Sequence, residues 1–237
     1  RADARLGIEA LVEAVGERPA RWRSEDLKTV IAEAPADATE FPPDPNRHDP
    51  RAVVAALEAA LPAKWEMVNS SGHCSYFFAQ MPSRPQHKFL TIREFGAIGN
   101  GISFAIGVAA ACPEDTVVLF DGDGSILMHI QELETIRRHG LNILIVAMND
   151  GAYGSEIHKL RAEGLDDSGA VFGRTDLCAI GRGFGIGGEV IDDLDLIPER
   201  VASFARNGGS AVWDVPISDK VYSPVIRRAH PEIVNFS

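Results

Sequence analysis

Six short runs of β-forming residues alternate with helical patterns over residues 66–215, and this alternation limits the possible folds more than any other feature. The predicted strands cover residues 66–69, 88–92, 116–120, 142–148, 188–191 and 211–215. The helical patterns cover residues 74–80, 102–112, 127–139, 154–162, 177–184 and 198–207. Such alternation is typical of a parallel sheet with helices on both faces. We therefore predict a three-layer α/β/α domain around a central, mainly parallel six-stranded sheet.

The start of the chain follows a different pattern. Residues 1–34 show helical spacing of apolar side chains but no strand to pack on, and Ser24 caps the second of two predicted helices. Residues 35–50 contain five prolines together with Asp, Asn and Thr, which is a linker composition. We predict that residues 1–34 are a helical remnant of a preceding domain, that 35–50 are a Pro-rich linker, and that 51–237 form the ligand-binding domain.

Charge and cysteine content exclude several classes of protein. The formal net charge is −11 and there is no run of Lys and Arg, so nucleic acid is not an expected partner. Cys74, Cys112 and Cys178 are far apart, which argues against a disulfide framework and against a zinc site. The longest nearly apolar run, 102–112, is too short to span a membrane, and the start "RADARLGIEA" is too charged for a signal peptide. We expect a cytoplasmic protein without a membrane partner.

The segment "VVLFDGDGSILMHIQELETI" places two carboxylates and two glycines where a buried strand gives way to a helix. Four of its side chains match positions 1, 3, 5 and 12 of a calcium-binding EF-hand loop: Asp121, Asp123, Ser125 and Glu132. Ile126 occupies the position that requires glycine, and a strand precedes the loop where an EF-hand has a helix. Calcium is therefore disfavoured, while a plain structural turn stays open because Asp-Gly pairs commonly form turns.

A phosphate-binding loop is the other interpretation. Gly122 and Gly124 leave the backbone N–H groups accessible to an anion at the start of a helix. A diphosphate in such a site normally arrives with Mg²⁺, for which Asp123 is a candidate ligand. A second ligand should follow the neighbouring strand, and "NILIVAM" is indeed followed by Asn149 and Asp150. We predict that these two strand ends form one diphosphate–metal site.

The paired segments resemble a known signature. Gly-Asp-Gly-Ser followed, 27 positions after Asp123, by Asp150 of an Asn-Asp pair is similar to the thiamin diphosphate signature of the pyruvate decarboxylase and acetolactate synthase superfamily. The segment "IQELETI" also lies where such enzymes carry it. The resemblance covers roughly residues 50–220 well and the first 34 residues weakly.

The resemblance implies a ligand set. It places Mg²⁺ on Asp123, on Asp150 and on the backbone carbonyl of Ala152, and it gives Gly124 and Ser125 as amide donors to the diphosphate. The remaining glycines that it places at the cofactor in this region are Gly122 and Gly154. Most members have Asn where this chain has Asp150, so the resemblance implies tighter metal binding and some repulsion of the diphosphate. For Asn149 we favour a capping or turn role.

Two upstream segments also correspond to cofactor contacts in the family. In "REFGAIGNG", Ile98 corresponds to the bulky residue that bends the cofactor, and the Gly96 carbonyl to an acceptor for the aminopyrimidine. A core position is the alternative for Ile98. In "SSGHCSYFFAQ", the resemblance offers His73 and Ser71 as further contacts to the diphosphate, with a surface-loop histidine as the alternative.

The helix after the metal segment carries the candidate catalytic groups. Related decarboxylases have a proton-transferring glutamate six residues after the second Asn, which corresponds to Glu156. Acetolactate synthases are more apolar here and have a Trp where this chain has Lys159. His158 is a second, weaker candidate. The alternative for all three is a solvated helix face.

The resemblance also implies parts that these residues do not contain. In the family, a glutamate on a separate N-terminal pyrimidine-binding domain of another subunit starts the proton relay. We therefore expect a C-terminal portion of a longer homodimeric or homotetrameric enzyme that is inactive alone. The expected substrate is a 2-oxo acid, with decarboxylation and carboligation both open. A non-catalytic module that keeps the fold, and a separate subunit of a two-chain decarboxylase, are the alternatives.

Overall fold

A computed structural model of the protein describes residues 3–17, 24–33, 37–81 and 83–231. The chain divides into two compact units, Arg1–Thr39 and Glu40–Ser237. The first unit contains α1 (Ala4–Val15) and α2 (Glu25–Glu33). Asp3 caps α1, and the Ser24 hydroxyl accepts the Leu27 N–H at the start of α2 (3.1 Å). The parts of the predicted helical segment 1–34 at residues 1–2, 18–23 and 34 lie outside the described residues.

The second unit is built on a six-stranded sheet. Its strands are β1 (Glu66–Asn69), β2 (Phe89–Thr91), β3 (Val117–Gly122), β4 (Ile143–Asn149), β5 (Gly187–Val190) and β6 (Ala211–Pro216). Their order across the sheet is β2-β1-β3-β4-β6-β5, and each neighbouring pair is parallel. The predicted fold class is therefore confirmed.

Helices cover both faces of this sheet. The helices of the second unit are α3 (Pro50–Ala60), α4 (Cys74–Phe78), α5 (Gly101–Ala111), α6 (Asp123–Met128), α7 (Glu132–Arg138), α8 (Gly154–Ala162), α9 (Leu177–Gly183), α10 (Ile197–Asn207) and α11 (Pro224–Ala229). Short 3₁₀ turns lie at Gln86–Lys88, Glu94–Gly96, Ser168–Ala170 and Leu194–Leu196. None of the helices described is long and apolar enough to cross a membrane.

Two apolar clusters hold the layers together. Successive side chains of a strand point to opposite faces, so Val118 packs with α3, α4 and α10, whereas Val117 packs with α5, α7 and α9. The ring of Phe120 stacks on Phe78 of α4 with centroids 3.7 Å apart. All seven residues of β4 are buried, which makes it the central strand of the core. Each large apolar side chain of the core contributes roughly 1.5–3 kcal/mol to stability when it is fully buried.

The helix after β3 differs from its prediction. The pattern indicated one helix over 127–139, whereas α6 begins directly after the strand and ends at Met128, because the next residue, His129, has a non-helical φ of −130°. A second helix, α7, then begins at Glu132. Ile126 and Leu133 are both buried against the same face of the sheet. Their spacing fits one continuous helix as well as two, so the apolar pattern could not reveal the break.

Part of the Pro-rich segment, residues 40–49, belongs to the second unit and pairs with the end of its sheet. His48 N–H donates to Pro216 O (2.8 Å), and Ser218 N–H donates to His48 O (2.9 Å), which extends the sheet beyond β6. Arg47 pairs with Asp219 at 3.1 Å. We call residues 40–49 the strap. It lies against the carboxyl end of the sheet, where the loops that follow the strands begin.

The packing of α9 on β5 generates a prediction about stability. A Cβ at Gly188 would lie 2.4 Å from the Cys178 carbonyl oxygen and 2.9 Å from its Cα, and both are backbone atoms. Gly188→Ala should therefore destabilise the protein by about 2–3 kcal/mol. Gly107→Ala is the matched control, because a Cβ on this exposed residue of α5 meets no atom within 4 Å. Urea denaturation should show Gly107→Ala to be about 0.5–1 kcal/mol more stable than the wild type. Equal stability of the two variants would contradict the described packing.

Candidate functional site

A cleft of about 550 Å³ opens at the carboxyl ends of β1, β3 and β4. The parallel register of β3 and β4 places Gly122 opposite Met148, so that Asp123 and Asp150 emerge beside each other. Most of the predicted site residues line this cleft: Ser71, His73, Gly96, Ile98, Gly122, Asp123, Gly124, Ser125, Asp150, Ala152, Gly154, Glu156 and Lys159. His158 and Asn149 do not line it. The structure thus brings together segments that are far apart in the sequence.

Two buried carboxylates form the acidic end of the cleft. Asp123 Oδ2 accepts the Gly151 N–H (2.9 Å), and Asp150 Oδ1 accepts the Ala152 N–H (3.1 Å). Burial, and then the charge of Asp150, raise the pKa of Asp123 to about 8. Burial raises the pKa of Asp150 to about 6, and the charge of Asp219 acts in the same direction. A cation between the two carboxylates would relieve both effects.

The donor set at this end suits a hard divalent cation. It consists of two carboxylates and the backbone carbonyl of Ala152, which accepts no hydrogen bond from the residues that the structure describes. Mg²⁺ takes oxygen ligands of this kind and usually keeps phosphate or water oxygens for its other positions. The residues present therefore fit Mg²⁺ and a diphosphate.

Two of the predicted glycines have no room for a side chain. A Cβ at Gly154 would lie 2.4 Å from Asp150 Oδ2, and one at Gly124 would lie 2.8 Å from the Tyr153 ring. Gly122 is different, since its Cβ would meet only Cys74 Sγ, at 3.8 Å. Gly124 and Ser125 lie in the first turn of α6, where backbone N–H groups have no partner within the helix.

The segment around Ile98 approaches this turn. Ser125 Oγ accepts the Gly99 N–H (2.8 Å), which ties the segment to α6. Gly96 and Gly99 have φ of 67° and 91°, and Phe95 has φ of 54°, which is unusual for a residue with a side chain. Ile98 is half-buried and lines the cleft, so it is accessible to a bound molecule.

His73 presents one ring nitrogen to the acidic end. Its Nε2 accepts the Ser223 N–H (3.0 Å), so the proton of the neutral ring belongs on Nδ1. Nδ1 lies 3.3 Å from the position of a Cβ at Gly154. Burial, and then the neighbouring His158, hold the pKa of His73 well below its usual value. His73 is therefore a neutral N–H donor in the cleft wall.

His158 lies behind His73 and not at the cleft surface. The two ring centroids are 4.6 Å apart, and the ring centroid of Tyr222 lies 5.7 Å from that of His158. Burial, and then the charge of Arg161, lower the pKa of His158 to about 4. Its place is a packing position that supports His73.

Glu156 and Lys159 lie at the mouth of the cleft. Their side chains form an ion pair of 2.8 Å on the first turns of α8 and are about half exposed. Both side chains line the cleft and are also accessible to solvent. The structure thus keeps open both a catalytic role for Glu156 and a solvated helix face.

Asn149 and Asp121 have structural contacts. Asn149 Nδ2 donates to Asp214 Oδ1 (2.9 Å) and joins β4 to β6. Asp121 is fully buried, and its Oδ1 accepts the Gly122 N–H (2.9 Å). Burial raises the pKa of Asp121 to about 7, and the nearby Ser125 and Ser70 hydroxyls act in the opposite direction. Neither Asp121 Oδ2 nor the Ser70 hydroxyl has a well-aligned hydrogen-bond partner among the described residues.

Arg93 and Tyr153 are among the residues of the cleft wall that sequence reasoning missed. Arg93 comes two residues after β2, so the rule that ligands bind at the carboxyl ends of parallel strands could have identified it. Tyr153 stands between the metal segment and α8, and its ring covers Gly124. Only its aromatic character between two glycines could have drawn attention to it.

An all-parallel sheet with paired carboxylates at its carboxyl edge defines an α/β domain of the class that binds its ligand where the strands end. Residues 70–215 match a family model described as "Thiamine pyrophosphate enzyme, C-terminal TPP binding domain". The match covers more than half of the chain, and the chain belongs to this family. Thiamine pyrophosphate is thiamin diphosphate, the cofactor that the resemblance implied.

Known relatives agree with this assignment. The chain is 31% identical over 156 residues to a putative acetolactate synthase large subunit of Mycobacterium tuberculosis, covering 65% of this chain and 28% of that protein. It is 27% identical over 181 residues to the acetolactate synthase large subunit of Parasynechococcus marenigrum, covering 75% and 29%. It is 29% identical over 139 residues to the acetolactate synthase isozyme 2 large subunit of Escherichia coli, covering 58% and 25%. The matched part thus spans between 25% and 29% of the length of these relatives.

The raised pKa of Asp123 predicts how stability depends on pH without bound metal. A carboxyl group whose pKa is raised on folding contributes stability that is complete below about pH 4 and lost as the pH rises toward about 8. Asp123→Asn removes this loss, so its melting temperature should exceed that of the wild type by on the order of 5 °C at about pH 8 and by less at about pH 5. Differential scanning calorimetry in the presence of a chelator measures both.

Asp192→Asn is the control for the change of charge, since Asp192 is exposed and outside the cleft. Its melting temperature should follow that of the wild type at both pH values. A stability difference for Asp123→Asn that does not grow with pH would show that the carboxylate pair is not destabilising.

Proposed function

We propose that this chain is the cofactor-binding part of a thiamin diphosphate-dependent enzyme that acts on 2-oxo acids, similar to an acetolactate synthase. The observation that carries the proposal is the meeting of Asp123 and Asp150 in one cleft, beside the first turn of α6. The family and the acetolactate synthase names of the relatives supply the chemical context. Decarboxylation and carboligation both belong to this proposal.

In the proposed site, Mg²⁺ is held by the carboxylates of Asp123 and Asp150 and by the carbonyl of Ala152. The amides of Gly124 and Ser125 and the Nδ1–H of His73 donate to the diphosphate. The raised pKa values of both aspartates support this arrangement, because bound Mg²⁺ favours the ionised carboxylates and so would lower those values. Asp150 adds one more negative charge than an asparagine would, which strengthens the attraction for the metal.

The remaining residues orient the reacting groups. When bound, thiamin diphosphate supplies covalent catalysis at its thiazolium ring. Ile98 packs against the cofactor and Gly96 accepts a hydrogen bond from it. Glu156, at the mouth of the cleft, holds or moves a proton at the substrate. The ammonium group of Lys159 lies 2.8 Å from this carboxylate.

We further propose that a pyrimidine-binding domain of another subunit, in a homodimer or homotetramer, completes the site. The proton relay of the family needs a glutamate beside the cofactor. Among the described residues that line the cleft, Glu156 is the sole glutamate, and its side chain pairs with Lys159. A relay glutamate supplied by a partner would fill this requirement, and the chain alone would then be inactive.

The metal site can be tested by removing one carboxylate. Asp123→Ala should lower the Mg²⁺-dependent affinity of the complete protein for thiamin diphosphate by about 100-fold, because it deletes a charged ligand of the metal. Isothermal titration calorimetry with and without Mg²⁺ measures this affinity. Asp192→Ala, which changes an exposed carboxylate outside the cleft, should bind as the wild type does. Unchanged affinity in Asp123→Ala would refute the proposed metal site.

The role of Glu156 can be tested by removing its charge alone. Glu156→Gln should lower the turnover of a 2-oxo acid about 100-fold in the complete enzyme, while the affinity for thiamin diphosphate holds. Glu134→Gln is the matched control, since Glu134 also pairs with a cation on its own helix, Arg138, but lies outside the cleft. Steady-state kinetics of both variants suffices. Equal turnover of Glu156→Gln and Glu134→Gln would move Glu156 to a solvated helix face.

A further inference from the structure

Arg93 places a guanidinium group in the wall of the cleft. Its Nη1 donates to the backbone carbonyls of Ser70 (3.2 Å) and Ile92 (2.9 Å), at the ends of β1 and β2. Its Cζ lies 5.9 Å from the centroid of the Tyr76 ring. These contacts fix one corner of the group. Its Nε and Nη2 donors make no hydrogen bond to any residue that the structure describes.

No carboxylate in the described part of the chain forms an ion pair with Arg93. The neighbouring Glu94 instead accepts the main-chain N–H of Arg93 (3.1 Å). Lys159, the other strong base of the cleft wall, pairs with Glu156 at 2.8 Å. Arg93 therefore differs from Lys159 in that its charge is not balanced by an acid of its own.

Arg93 and the aspartates of the cleft act on a common neighbour, the Cys74 thiol. Burial and the neighbouring aspartates raise the pKa of the Cys74 thiol, and Arg93 acts in the opposite direction. Two carbonyls accept hydrogen bonds from its Nη1, and its guanidinium forms no ion pair with Asp123 or Asp150. A fixed guanidinium with two free donors is suited to carboxylate and phosphate oxygens, which it can bind in a fork.

We propose that Arg93 binds an oxyanion of the molecule that occupies the cleft. Two groups have this chemistry, the diphosphate of the cofactor and the carboxylate of the 2-oxo acid. The inference rests on the proposed function, which supplies both groups, and it adds a binding residue to the same site.

Arg93→Gln tests the inference, because it removes the charge and the fork while it keeps an uncharged polar side chain. Two probes are titrated into the protein by calorimetry, inorganic diphosphate with Mg²⁺ and pyruvate. We expect Arg93→Gln to weaken at least one probe by about tenfold or more. Loss confined to diphosphate identifies the cofactor as the source of the oxyanion, and loss confined to pyruvate identifies the substrate. The affinity of Arg93→Lys should fall between those of the wild type and Arg93→Gln, since lysine keeps the charge without the planar fork.

Arg182→Gln is the matched control. Its Nη1 also donates to a backbone carbonyl, that of Gly188 (2.9 Å), but it lies outside the cleft. Affinities of Arg93→Gln within about twofold of the wild type for both probes would overturn the inference, as would equal losses in Arg182→Gln or a wild type that binds neither probe. If Arg93→Gln does not fold, by its melting curve, Arg93→Lys replaces it in the same comparison.

The same titrations separate this inference from the proposed function. If Asp123→Ala keeps its Mg²⁺-dependent diphosphate affinity while Arg93→Gln loses affinity, the proposed metal site fails and the oxyanion-binding role of Arg93 stands. If Asp123→Ala loses that affinity while Arg93→Gln binds both probes normally, the metal site stands and the role of Arg93 fails.

Discussion

The parallel pairing of β3 with β4 is the interaction on which the rest of the site depends. It places Gly122 opposite Met148, so the residues that follow both strands reach the same edge of the sheet. Asp123 then begins α6 and Asp150 precedes α8, and the two carboxylates meet although 27 positions separate them. Burying two like charges is unfavourable, and the buried apolar side chains of β4 supply the compensating stability.

The acidic end of the cleft is only partly neutralised by the chain itself. Asp123 and Asp150 each accept a backbone N–H, and His73 faces them as a neutral donor. Arg93 is the nearby cation without an acid of its own in the described part of the chain. An arrangement of this kind favours a ligand that carries its own cation together with oxyanions, since the cation meets the carboxylates and the oxyanions meet the N–H and guanidinium donors.

Much of this arrangement follows from the sequence. The six strands were predictable because each is a short β-forming run between helical patterns, and the carboxyl-end rule then brings Asp123 and Asp150 together. The positions of other residues depend on three-dimensional packing. Ile157 is buried with Ala152 and Ala170. His158 is buried near the rings of His73 and Tyr222. Nothing in the helical period distinguishes such a face from a solvated one. Proline-rich composition likewise carries no information on the backbone pairing of His48 with Ile217.

The strap illustrates how a distant segment influences the metal site. Asp219 lies close enough to Asp150 for its negative charge to raise the pKa of the Asp150 carboxyl. Arg47 of the strap pairs with Asp219 at 3.1 Å, and Arg161 of α8 pairs with it at the same distance. Arg47 also lowers the pKa of Asp150 directly. The strap therefore contributes positive charge behind the predicted metal ligand, and through Asp219 it is joined to the helix that carries Glu156. A segment whose composition indicates only a linker thus helps to set the charge and the position of the groups around the cleft.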